Sequence, residues 1–226
     1  YIIATITNIL LRINMDYNAA RQAMVDSQIH PMGVSSDRIL DAFLAVPREE
    51  FVPDELKDVC YCDEDIKVSE GRYLMEPSVF ARLLQEGKIS KEDAVLTIGS
   101  GIGYNAAILS HLCGTVVALE DKKEMINSAQ TSWDKLGMTN IAAIPGNICA
   151  GAPEYAPYDV IIFNGAISEL PINTKNNLKV GGRILAIIRK TGFGLAHAMI
   201  FEKTDKDTLS SRVLFEAGTP YLKDFS

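Results

Sequence analysis

Val95-Leu96-Thr97-Ile98-Gly99-Ser100-Gly101-Ile102-Gly103-Tyr104 is the stretch on which the fold turns. The apolar run Ala94–Ile98 reads as a strand, the three alternating glycines as a turn, and Tyr104–Leu112 as the helix beyond it. His111 in the last turn of that helix and Gly114 just past it supply a stop. Glycine lets the backbone turn sharply and lets a ligand approach without meeting a Cβ. The helix N-terminus presents unpaired N–H groups that favour an anion. A second apolar run, Thr115–Leu119, ends on Glu120. That places a carboxylate about 20 residues beyond the turn, where it can accept both hydroxyls of a ribose. Strand, glycine loop, helix and acid together describe a nucleoside site at the carboxyl ends of a sheet.

Working outward, the same alternation continues toward the C-terminus. A helix carrying Ile126, Ala129, Trp133 and Leu136 on one face ends near Gly137. Ile141–Ile144, Val160–Phe163 and Arg183–Ile188 read as further strands, with a helix over Pro171–Leu178. Runs apolar throughout and separated by helices indicate parallel strands buried on both faces. Ala196–Phe201 and Ser210–Phe215 flank a polar loop and read as a hairpin. Toward the N-terminus the pattern is helical. Asn18–Ile29 and Ser36–Val46 have apolar residues at helical spacing, Ser35 and Ser36 offer N-cap oxygens, and Pro77 opens a helix bearing Val79, Phe80, Leu83 and Leu84. The expected architecture is α/β: a mostly parallel, doubly wound, Rossmann-like sheet with an antiparallel C-terminal hairpin. Residues 1–14 are an extension of unknown role, 15–90 a helical cap, and 91–226 the core, with cap and core one unit.

Composition limits the partners. The 226 residues are 47% hydrophobic and 23% charged, as in an ordinary globular chain. The net charge is −7 and no Lys/Arg cluster forms a basic face, so nucleic acid is not an expected partner. Cys60, Cys62, Cys113 and Cys149 are too scattered for a disulfide scaffold and read as reduced thiols of a cytoplasmic protein. Cys60-x-Cys62 lacks a second ligand pair, so no metal site is expected. The apolar start Tyr1–Leu11 is interrupted by Arg12, too soon for a membrane span, and lacks a signal peptide's basic start; Met15 reads as a natural first residue. A monomer is expected.

The spacing G-x-G-x-G, with Tyr104 where a dinucleotide fingerprint runs on toward a later glycine, is the one usual in S-adenosylmethionine-dependent methyltransferases. The sequence resembles the protein-L-isoaspartate (D-aspartate) O-methyltransferase family from about Ala23 to at least Ile188. The segments that carry the resemblance are Met24-Val25-Asp26-Ser27-Gln28, Val46-Pro47-Arg48-Glu49-Glu50-Phe51-Val52-Pro53, Ala156-Pro157-Tyr158-Asp159-Val160-Ile161 and Gly181-Gly182-Arg183. The resemblance implies methyl transfer to the free α-carboxylate of isoaspartyl residues in damaged proteins, the first step of their repair. The implied cofactor contacts are Gly99, Ser100, Gly101, Gly103, Tyr104, Glu120 and Asp121, with Asn147 and Ile148 at the adenine end. His30, His111 and His197 read as structural.

Three positions depart from the family pattern. A G-Q-T-I-S-Q-P-like substrate loop is here Gly71-Arg72-Tyr73-Leu74-Met75-Glu76-Pro77, as in a divergent bacterial branch, with Met75 in place of a serine. The acid usual before the cofactor loop is Thr97, and Gly146-Asn147-Ile148 replaces a G-D-G-like segment. On the acceptor side the candidates are Arg72, the one cation of its loop, Met75, and Asn164 directly after the fourth core strand. Readings with a different acceptor, or with a non-catalytic role through a partner, stay open.

Overall fold

The computed structural model describes residues 15–190 and 195–225; the expected extension 1–14 lies outside them. Helix α1 (Tyr17–Met24) is capped by Asp16, whose carboxylate accepts the N–H groups of Asn18 and Ala19 at 3.1 Å. The run expected to be helical to Ile29 changes at Val25 into one wide π turn, Val25–Ile29. Helix α2 (Asp37–Ala45) follows. The serines before it do not cap with their side chains; instead the Gln85 Oε1 accepts the N–H groups of Ser35 and Ser36.

Strands β1 (Ile66–Ser69) and β2 (Arg72–Leu74) form a small antiparallel hairpin, where the sequence reads only as loop. Helix α3 (Pro77–Gly87) leads to the core, beginning with β3 (Ala94–Ile98), α4 (Tyr104–Ser110), β4 (Thr115–Glu120), α5 (Lys123–Lys135) and β5 (Ile141–Pro145). Then come β6 (Tyr158–Ile167), β7 (Leu178–Ile188), β8 (His197–Lys203) and β9 (Leu209–Glu216). The helix expected over Pro171–Leu178 is only a 3-10 turn, Thr174–Asn177, because Leu178 is drawn into β7 opposite Tyr158.

The large sheet has the order β5-β4-β3-β6-β7-β8-β9. Strands β5 to β7 pair in parallel, while β7–β8 and β8–β9 are antiparallel. It is thus a Rossmann-like mixed sheet with a helical N-terminal region and antiparallel C-terminal strands. Its two faces are covered differently. Side chains of one face, such as Val95, Val116, Val160 and Leu185, share a core with α1 to α5. The alternate residues, Leu96, Leu119, Ile161, Phe163 and Ala186, pack against Ile148, Ala152, Leu222 and Phe225, which come from loops. Among the described residues no α-helix contributes to this second cluster. The consequence for function is that β3, β4 and β6 end beside a face lined by loop side chains. No helix among the described residues is long and apolar enough to cross a membrane.

Candidate cofactor site

The three loop glycines have φ values of +68° (Gly99), +56° (Gly101) and +87° (Gly103), a region that a side chain disfavours. The turn is held by Gly99 and Ser100, whose N–H groups both donate to the Leu119 carbonyl at 3.0 and 3.1 Å. Gly103 fits against α5: a Cβ there would lie 2.6 Å from Ala129 Cβ and from the Trp133 ring, and the Trp133 indole donates to the Gly103 carbonyl at 3.0 Å. Gly101 is the open one: a Cβ on it would meet nothing nearer than 4.0 Å.

At the end of β4, Glu120 is fully buried and points into this loop, its Oε2 accepting the Gly101 N–H at 2.8 Å. Its Oε1 accepts the N–H groups of Asp121 at 3.0 Å and Lys122 at 3.1 Å. Both oxygens also accept the guanidinium of Arg72, from Nε at 3.1 and 2.9 Å and from Nη2 at 3.0 Å. The same Nη2 reaches Asp121 Oδ1 at 2.6 Å, and Nη1 donates to the Gly71 carbonyl at 2.9 Å. Arg72 is 2% exposed. The acceptor-side expectation for Arg72 is therefore corrected. With every guanidinium nitrogen committed to Glu120, Asp121 or Gly71, it has no free edge for an acceptor carboxylate in this conformation.

Asn164 is likewise not free. Its Nδ2 donates to Thr97 Oγ1 at 2.6 Å and to the Ile98 carbonyl at 2.9 Å, and its Oδ1 accepts Asn105 Nδ2 at 2.9 Å. Thr97, Asn164 and Asn105 thus form a buried chain beneath the glycine loop. Met75 is 1% exposed, part of the helical core, and only its carbonyl does polar work, accepting Arg48 Nη2 at 2.8 Å. The Tyr104 side chain turns away from the loop into the cap. It packs edge-on to Phe51 and Phe43 with the Arg48 guanidinium 4.8 Å from its ring centre. At the far end Asn147 is exposed, and its Oδ1 closes a turn onto the Cys149 N–H at 2.8 Å; Ile148 is buried beside Leu222. Ser100 lies in the loop with little exposure, and Asp121 sits at the rim.

The V-P-R-E segment proves to be structural. Arg48 donates to the Cys60 carbonyl at 2.5 Å, and Glu49 binds Arg21 at 3.0 Å and the Tyr61 hydroxyl at 2.5 Å. Near it, Asp65 accepts the Glu76 N–H at 3.1 Å, and burial pushes its carboxyl up to about 6. An acid whose proton is held more tightly in the fold loses stability as pH rises from its unfolded pKa of about 4 to about 6. Asp65→Asn should therefore flatten the urea stability curve between those pH values, a difference of up to about 3 kcal/mol at neutral pH. An unchanged slope would place the titration elsewhere.

The comparisons with known proteins agree with this architecture. The sequence model of protein-L-isoaspartate(D-aspartate) O-methyltransferase matches residues 19–217. The chain belongs to this family. A protein-L-isoaspartate O-methyltransferase of Koribacter versatilis is 34% identical over 165 residues, 73% of this chain and 74% of that protein. One from Methanoculleus marisnigri is 35% identical over 166 residues, 74% of this chain and 76% of that protein. A solved protein-L-isoaspartate O-methyltransferase superposes with a TM-score of 0.79 at 30% identity, covering 89% of this chain; this chain spans 65% of that longer one. A Plasmodium falciparum protein described as a putative isoaspartate O-methyltransferase in complex with S-adenosyl-L-homocysteine has the same fold, with a TM-score of 0.75 at 18% identity. Within the isoaspartate methyltransferase family, then, this chain carries a glycine loop and acid whose donor set suits a nucleoside. Gly101 leaves an open cradle and Glu120 presents a buried carboxylate beside it. The side chains the sequence reading missed are Leu222 and Asn105: an isolated leucine in a polar tail and an asparagine inside a helix carry no motif.

Proposed function

We propose that this chain is an S-adenosylmethionine-dependent O-methyltransferase that esterifies the α-carboxylate exposed at isoaspartyl residues of proteins. The observation that carries the reading is the Glu120 carboxylate drawn onto the Gly101 N–H at 2.8 Å, at the carboxyl ends of β3 and β4. Ligands of parallel α/β sheets gather there. Glu120 would hold the ribose hydroxyls, the Gly99–Gly103 turn would take the methionine part, and Ile148 with Asn147 would border the adenine. The cofactor supplies an electrophilic methyl group on a sulfonium. An acceptor carboxylate is already ionised at neutral pH, so the chain needs no strong base and contributes orientation and exclusion of water. Cytoplasmic residence accords with four cysteines that are all unpaired.

The test is transfer of labelled methyl to an isoaspartyl peptide and to its aspartyl twin. Base-labile label on the isoaspartyl form alone is expected; equal labelling, or none, contradicts the proposed acceptor. Burial of Met75 at the family's serine position favours a second reading, a methyltransferase with another acceptor. Met75→Ser separates the two readings. It should cost about 2–4 kcal/mol of stability, since it empties a packed core position. A rise in isoaspartyl transfer in the surviving fold would support the first reading, and no rise the second.

A further inference from the structure

We propose that Arg72 and Leu222 form a latch on the cofactor seat: in the free chain they take the positions a nucleoside ligand needs, and ligand entry requires their release. This rests on the reading of the site as an S-adenosylmethionine seat.

Glu120 is the first half of the latch. A carboxylate offers about four lone-pair sites. Here Oε1 accepts Arg72 Nε and Nη2 together with the N–H groups of Asp121 and Lys122, and Oε2 accepts Arg72 Nε and the Gly101 N–H. A ribose diol cannot add to this set; it must replace Arg72.

Leu222 is the second half. It is 1% exposed and rests on the glycine loop: a Cβ on Gly99 would come within 2.5 Å of Leu222 Cδ1, and one on Gly165 within 2.9 Å of Leu222 Cβ. The face of Gly99 left bare by its missing side chain is thus filled by Leu222. The strap that carries it, residues 219–225, is held by backbone bonds to the end of β6. Ala166 N–H donates to the Pro220 carbonyl at 2.9 Å, Leu222 N–H to the Ala166 carbonyl at 2.8 Å, and Ser168 N–H to the Phe225 carbonyl at 2.8 Å. The Phe225 ring lies edge-on to Phe163 at 5.6 Å.

The two halves meet at one atom. The Gly71 carbonyl accepts Arg72 Nη1 at 2.9 Å and the Lys223 N–H at 3.4 Å. A Cβ on Gly71 would lie 2.3 Å from Lys223 Cβ, so loop and strap are in direct contact. Moving one therefore disturbs the other. An exit for Arg72 is also present. Stranding a buried guanidinium without a partner is costly, but Arg72 already touches Asp121, whose side chain is 36% exposed at the rim. It can leave Glu120 for the ribose and keep that second carboxylate.

If the competent state is a minority of the free chain, apparent affinity falls by its fraction, and removing a latch element restores it. The experiment is calorimetric titration of S-adenosylhomocysteine into wild type, Arg72→Gln and Leu222→Ala, with amide hydrogen exchange on wild type with and without ligand. We expect affinity to rise about tenfold or more in each variant. Exchange of the Leu222 amide in wild type should quicken on ligand binding. Wild-type binding with affinity unchanged or weakened in both variants, and a strap amide equally or better protected, would overturn the latch while leaving the cofactor seat intact. No binding by any of the three proteins would overturn the seat and the latch together. The exchange measurement needs no substitution, so an unstable variant does not shield the proposal.

Discussion

Glu120→Ala is expected to lower the free energy of unfolding by about 3–5 kcal/mol, because it breaks a buried ion pair and leaves the Arg72 guanidinium only the rim carboxylate of Asp121. Arg72 is 2% exposed and holds both Glu120 oxygens, and the N–H groups of Gly101, Asp121 and Lys122 lose their acceptor as well. Read from the sequence as a ribose ligand, Glu120 is expected to give up about 1.5–3 kcal/mol of ligand binding on the same substitution. Urea denaturation of the ligand-free protein measures the stability loss alone. A stability loss below about 1 kcal/mol would mean that Glu120 is not the counter-charge on which Arg72 depends.

Trp133→Ala should cost a comparable amount, about 3–5 kcal/mol, the usual value for emptying a large aromatic site. Trp133 is 1% exposed on α5 and is both wall and hydrogen-bond donor to Gly103. Its loss would free the end of the glycine turn, so ligand affinity should fall along with stability. Trp133→Phe keeps much of the wall and loses the N–H, so it should fall between the two proteins in both measurements. Stability reduced in Trp133→Ala with ligand affinity intact would show that the turn holds its shape without α5.

The glycine turn, the acid and the parallel strands were legible in the sequence because each depends on local rules: positive φ at glycine, an apolar run for a buried strand, an acid at a strand end. Gly99, Gly101, Gly103 and Glu120 are brought together as those rules require. Long-range partnership was not legible. Arg72 and Glu120 lie far apart in sequence, and nothing near Arg72 marks it as paired rather than solvated. Asn164 sits directly after an apolar run, as a ligand-facing residue would, yet its amide is taken up by Thr97, Ile98 and Asn105. Leu222 lacks any periodic context, so its place on Gly99 depends wholly on the sheet it packs against. Pro171–Leu178 is only a turn for two reasons: its three asparagines and one threonine are weak helix formers, and Leu178 pairs in β7.

On the proposed reading, the Gly99–Gly103 turn with Glu120 seats the adenosyl cofactor of a methyltransferase and not a dinucleotide. Calorimetric titration of S-adenosylhomocysteine and of NAD into wild type and Arg72→Gln tests it most directly. Saturable binding of S-adenosylhomocysteine, tighter in Arg72→Gln, is expected, with no binding of NAD. Binding of NAD, or failure of both proteins to bind S-adenosylhomocysteine, would contradict it.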